Sequence, residues 1–105
     1  MKLVNLKVQV HCLKPSWVEG ENNAYRLYLN NDLLTERSWV WNIKTFIDET
    51  VWVELNSETD HLIKIVPILY PVNSLAKFAI ANLRINEDSY SNGIQEQLEL
   101  SFRIK

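Results

Sequence analysis

The chain has 105 residues, the size of one domain, and 47% of them are hydrophobic, enough for a core without disulfide staples. A formal charge of −2 with no basic run lacks the electrostatic footprint of a nucleic-acid binder, and no apolar run approaches the roughly 20 residues of a membrane-spanning helix. The single cysteine, Cys12, rules out an internal disulfide and fits a reducing compartment or a protein with no need of oxidation.

Leu3 to Cys12 alternates. Val4, Leu6, Val8, Val10 and Cys12 share one parity and Asn5, Lys7, Gln9 and His11 the other, which predicts a half-buried strand. The same alternation leaves no unbroken apolar stretch for a signal peptide. Lys14 to Asn23, with Pro15 and Gly20, reads as a loop, and Trp17 and Val18 predict that part of it folds back onto the domain.

Ala24 to Trp41 reads as a β-hairpin turning at Asn30-Asn31-Asp32, where short polar side chains tolerate left-handed backbone. A three-residue loop there pairs Leu29 with Leu33, Leu27 with Thr35, and Arg26 with Glu36, joining apolar groups and opposite charges. Tyr25, Leu27, Leu29, Leu33, Trp39 and Trp41 then share a face. Asn42 to Asp48 is a connection with room for one helical turn. Glu49 to Leu55 and His61 to Leu69 form a second expected hairpin, with Leu55 opposite Ile63, Glu54 opposite Lys64, and Trp52 opposite Val66. Pro67 and Pro71 are expected to end its second strand. Ala76 to Glu87 is a further strand. A turn at Asn92-Gly93 then pairs Glu87 with Leu98, Ile85 with Leu100, Leu83 with Phe102, and Ala81 with Ile104.

These segments give about seven strands and no long helix. They predict one all-β domain, an antiparallel sandwich of immunoglobulin-like or jelly-roll-like architecture spanning 1–105.

The hairpin YRLYLNNDLLTERSWVW, followed by VWVELNSETDHLIKIV, FAIANLRIN and LELSFRI, resembles small uncharacterised β-sandwich proteins of T4-like marine phages. The resemblance implies a phage origin, with the host cytoplasm or the virion as location. It carries over no catalytic or binding residue.

Chemistry-bearing residues are sparse. Cys12 lies on the core parity and His11 on the other, so they cannot form a catalytic pair, and Cys12 reads as a small buried hydrophobe. His61, beside Asp60 at a turn end, reads as a solvated loop residue with nothing to orient it as a base. Asp48-Glu49 and Glu87-Asp88 are too few carboxylates for a calcium loop, and two histidines and one cysteine scattered along the chain do not make a zinc site. The expectation is a non-enzyme with no cofactor and no metal.

The tryptophans carry the most information. Trp39 and Trp41 share a face with Leu27 and Leu29, which reads as core packing or, at a sheet edge, as an aromatic platform. Arg37 has the same parity and either reaches the rim or stacks on Trp39. Trp52 and Val66 point outward in the expected second hairpin, and Phe78 and Ile80 fall on the outward parity of their strand. Together the four form a candidate apolar contact surface, unless Ser16 to Val18 or Ile43 to Ile47 covers it. Two functions follow: a structural or interaction module that binds its own copies or a larger assembly, and a carbohydrate-binding module that stacks exposed aromatics on sugar rings. Neither involves nucleic acid or membrane.

Overall fold

The fold is seen in a computed structural model that describes residues 1–12, 22–39, 46–70, 76–90, 94–95 (backbone only) and 98–104. Among them are nine strands and no helix: β1 (Lys2–Cys12), β2 (Ala24–Leu29), β3 (Asp32–Ser38), β4 (Phe46–Leu55), β5 (Asp60–Ile68), β6 (Phe78–Ile85), β7 (Asp88–Ser89), β8 (Ile94–Gln95) and β9 (Glu99–Arg103). One sheet runs β4-β1-β6-β7, and the two-residue β8 also pairs along β6. The other runs β3-β2-β5-β9. Every pairing is antiparallel. The two sheets pack face to face as a β-sandwich, the fold class expected from the alternation.

Strand parity decides which side chains meet between the sheets. Val4, Leu6, Val8, Val10 and Cys12 of β1 are all buried, as are Tyr25, Leu27 and Leu29 of β2 and Ile63 and Ile65 of β5. Alternation along a half-buried strand forces this division, because successive side chains leave opposite faces.

Strand partnership is where the expected hairpins fail. The first keeps Arg26 opposite Glu36 and Leu27 opposite Thr35. Its turn is tighter than expected. Asn30 and Asn31 both have positive φ (50° and 72°), the backbone of a two-residue hairpin turn, so Leu29 faces Asp32. A register shift between Leu27 and Tyr28 absorbs the difference, and Leu33, expected opposite Leu29, is exposed.

The second and third expected hairpins do not form. β4 pairs with β1 and β5 with β2 and β9, so 56–59 carries the chain from one sheet to the other. β6 and β9 likewise lie in different sheets. The tight turn after β6 is Asn86-Glu87, with φ of 51° and 72°, and it leads into β7. Asn92-Gly93 lies outside the described residues. Pro67 sits within β5 instead of ending it. Ile65 donates its N–H toward Leu98, and Pro67, two residues on, turns its nitrogen the same way, to where β9 does not reach. Phe46 to Asp48, expected in a connection, begin β4.

Phe78 and Ile80 are buried, which corrects their outward assignment. Between Lys7 and Gln9 on β1 the partner changes from Arg84 to Ala81, three residues of β6 against two of β1. The extra residue is a β-bulge, and Asn82 within it has φ of 51°. A bulge inverts parity, so Phe78 and Ile80 face the core together with Leu83.

Candidate interaction edge and inter-sheet groove

The candidate surface of Trp52, Val66, Phe78 and Ile80 does not come together. Phe78 and Ile80 belong to the core. Val66 lies on the outer face of the β3-β2-β5-β9 sheet opposite Arg26, while Trp52 is in the other sheet. Trp52 alone remains prominent, 65% exposed. Its exposure has a different cause from the expected Glu54–Lys64 pairing. Val51, Val53 and Leu55 face the second sheet across the interior, so Trp52 must face out.

The face around Trp52 is a polar lattice. Asn5 lies directly opposite it on β1, and Lys7 opposite both Thr50 and Arg84. Gln9 donates to Asp48 (3.1 Å) and accepts from Asn82 (2.7 Å). His11 packs on Phe46, with ring centroids 4.3 Å apart. Leu3, also exposed, sits one diagonal from Trp52.

The expected platform of Trp39, Trp41 and Arg37 does not form either. Trp39 is buried and packs edge-on against Phe78 at 5.7 Å. Trp41 lies outside the described residues. Arg37 reaches the rim, where its guanidinium binds Glu49 through Nε, with Nη2 3.4 Å from the second carboxylate oxygen. Glu49 projects inward from β4 and is buried. The buried hydroxyl of Tyr25 donates to the same carboxylate at 2.8 Å. Burial first, and then that hydrogen bond, push the Tyr25 phenol far above its ordinary range. The hydrogen bond to Glu49 holds Arg37 more firmly protonated than usual.

This triad spans the two edge strands, β3 and β4, and closes one end of an inter-sheet groove. A cavity of about 210 Å³ lies there, floored by Leu6, Val8, Leu27 and Ile63 and walled by Leu34 and Val51. A second hollow, of about 310 Å³, continues past Leu34 to Asn30 and His61. Val51 and Val53 are only half-buried because the interior opens here.

His61 is the residue sequence reasoning misplaced most. It is buried and not solvated, on the inward parity with Ile63. Asn30 Nδ2 lies 2.9 Å from its Nδ1 and the Asn56 carbonyl 2.8 Å from its Nε2, so one nitrogen accepts and the other donates. Asn30 also binds the backbone of Leu62 through its side-chain oxygen and its own N–H. His61 thus ties the β2–β3 turn to the 56–59 crossover, a structural role. Its inward parity was the available signal, since it is two residues from Ile63.

Cys12 is buried on the core side, and His11 is on the opposite face. Among the described residues no three His, Cys, Asp or Glu side chains cluster as a metal site would require. Comparison with known families, curated proteins and solved structures finds no match.

Proposed function

We propose that this chain is a non-catalytic interaction module that docks into a larger assembly through the outer face of the β4-β1-β6-β7 sheet, with Trp52 at the contact. The observation that carries this reading is the exposure of Trp52 in the middle of edge strand β4, next to exposed Leu3. A tryptophan buries on the order of 200 Å² in a contact. Aromatic anchors of this kind dominate interface energetics. A phage virion or a phage-encoded host-interaction protein is the setting that the sequence resemblance suggests.

The polar side chains of Gln9, Asp48 and Asn82, on the same sheet face as Trp52, support a second reading, a carbohydrate-binding face that stacks a sugar on the indole. Light scattering over a concentration series, on the wild type and on Trp52→Ser, separates the two. Association that weakens in Trp52→Ser supports the module. A monomeric wild type whose tryptophan fluorescence shifts with added glycan supports the second reading. Trp52→Ser should move Tm by less than about 4 °C, as a surface substitution does. A larger loss would place Trp52 in the core and remove the contact.

A further inference from the structure

The backbone around Trp52 has a direction that can be deduced. Asn5 donates its N–H to the Asn86 side-chain oxygen (2.9 Å) and accepts the Asn86 N–H on its carbonyl (2.8 Å), so both its backbone groups turn toward β6. Opposite residues in an antiparallel pair exchange either both bonds or neither. Trp52, opposite Asn5, therefore turns its N–H and C=O away from β1. The pairing of β1 with β4 runs without a register shift, and backbone direction alternates along a strand, so Phe46, Asp48, Thr50, Trp52 and Glu54 all do the same. Among the described residues no strand pairs with this edge.

An open edge of this length is a template for another strand, and proteins blunt such edges with proline, bulges, lysine or inward charge. β4 has ten residues, with no proline, no lysine and no bulge against β1. Its inward charge, Glu49, is already matched by Arg37. By contrast β3 carries a register shift, and β9 has only five residues.

Charge selects the occupant. β4 carries Asp48, Glu49 and Glu54 and no basic residue, and its existing neighbour β1 carries Lys2, Lys7 and His11 and no acid. A second copy of β4 would bring acid to acid. Beside the edge, the cavity of about 210 Å³ has an apolar floor, on which apolar side chains can rest, and a polar rim of Thr35, Arg37, Glu49 and Thr50.

We propose that the free edge of β4 binds an extended segment of another protein in which basic residues alternate with branched aliphatic or aromatic ones. The segment adds to the sheet as an antiparallel strand, the mode known as β-augmentation. Its apolar side chains share the inward parity of Val51 and Val53 and enter the groove. Its basic side chains share the outward parity of Asp48 and Glu54. This inference rests on the interaction-module reading and names the mode and the partner chemistry.

The test uses the full chain and an end-capped designed peptide VKVQVQVKVQ, whose two lysines share one parity, spaced like Asp48 and Glu54, and whose valines share the other. Amide hydrogen exchange is read by NMR at Phe46, Asp48, Thr50, Trp52 and Glu54 at a protein concentration where the chain alone shows no protection there. The peptide should slow exchange at these five amides by about tenfold or more. An analogue with glutamate at both lysines should not. Thr50→Pro removes an N–H that points to the free edge, so the β1 ladder stays intact and protection is lost. Asp48→Lys with Glu54→Lys should reverse the preference between the two peptides, a check independent of how well the proline variant folds. Unchanged exchange with the basic peptide, or equal protection by the acidic one, overturns the proposal. Protection that rises with protein concentration alone also overturns it and makes a second copy the occupant. Trp52-dependent association without peptide protection leaves the module standing and removes strand addition. Protection without Trp52-dependent association leaves strand addition standing and removes the outer-face contact at Trp52.

Discussion

At the residue scale, Glu49 is the most demanding position in the molecule. An inward carboxylate on an edge strand costs several kcal/mol to desolvate unless it is paired and hydrogen-bonded. Arg37 and Tyr25 supply both. Glu49 shares the parity of Val51 and Val53, a signal left unread when it is weighed only with Asp48 as a calcium ligand, and the pairing depends on β3 and β4 being edges on the same side of the sandwich, which alternation does not encode. Tyr25→Phe is expected to cost about 1–3 kcal/mol at neutral pH, the usual worth of a hydrogen bond to a charged group. The cost should depend on pH. The folded state raises the Tyr25 pKa above its ordinary 10.0, so the unfolded chain loses this proton first. The stabilisation is fully present below pH 10.0 and falls as pH rises above it, by up to about 1.4 kcal/mol per unit. Denaturant melts of wild type and Tyr25→Phe from pH 8 upward should therefore converge above pH 10.0. A constant gap would mean that Tyr25 ionises normally in the fold.

At the element scale, the sequence revealed faces better than partners. Alternation in β1, β2 and β5 was legible because burying one face of a strand needs only local periodicity. Partnership was not. The connection 56–59 has a length that suits a hairpin as well as a crossing between sheets, and the turn signal at Asn92-Gly93 does not say that β6 and β9 lie in different sheets. The charge match of Glu54 with Lys64 was available in sequence yet unused in the fold, because β4 pairs with the basic strand β1 while Lys64 faces Glu99 in the other sheet. The bulge at Asn82 was illegible for a different reason. Asparagine adopts left-handed backbone readily, but nothing in FAIANLRI marks where the parity inverts. Its presence has a direct consequence. Phe78 and Leu83 differ in parity, and both are buried. Phe78→Ala and Leu83→Ala should each cost about 2–5 kcal/mol by urea unfolding, while Glu99→Ala, exposed on β9, should cost less than about 0.5 kcal/mol. Ala79 and Ala81, of the opposite parity to Phe78, are buried as well, so a small loss at Phe78 would place its ring outside the core without bearing on the bulge.

At the scale of the whole molecule, the described residues close the sandwich on one side and leave it open on the other. On the side of β7 and β9, Tyr90 packs edge-on over Phe102 at 6.2 Å and joins the sheets through apolar contact. On the side of β3 and β4, the described link is the Arg37–Glu49 pair, and the groove runs beside it. Among the described residues β3 pairs only with β2, and none of its own residues is buried. β1 is paired on both sides, and its apolar face lies wholly within the core. Local opening is easiest where few apolar contacts are lost. The amides of β3 that bond to β2 should therefore exchange through local opening, well below the global stability, while those of β1 exchange only when the whole domain unfolds. Native-state hydrogen exchange in low denaturant distinguishes the two, because global exchange rises with denaturant and local exchange does not. Arg37→Ala should speed exchange in both strands, because Glu49 left buried without its cation destabilises the native state against local and global opening alike. Equal slowing of β3 and β1 amides in the wild type would mean that the groove is shut in solution, and with it the path by which a strand's side chains reach the floor formed by Leu6, Val8, Leu27 and Ile63.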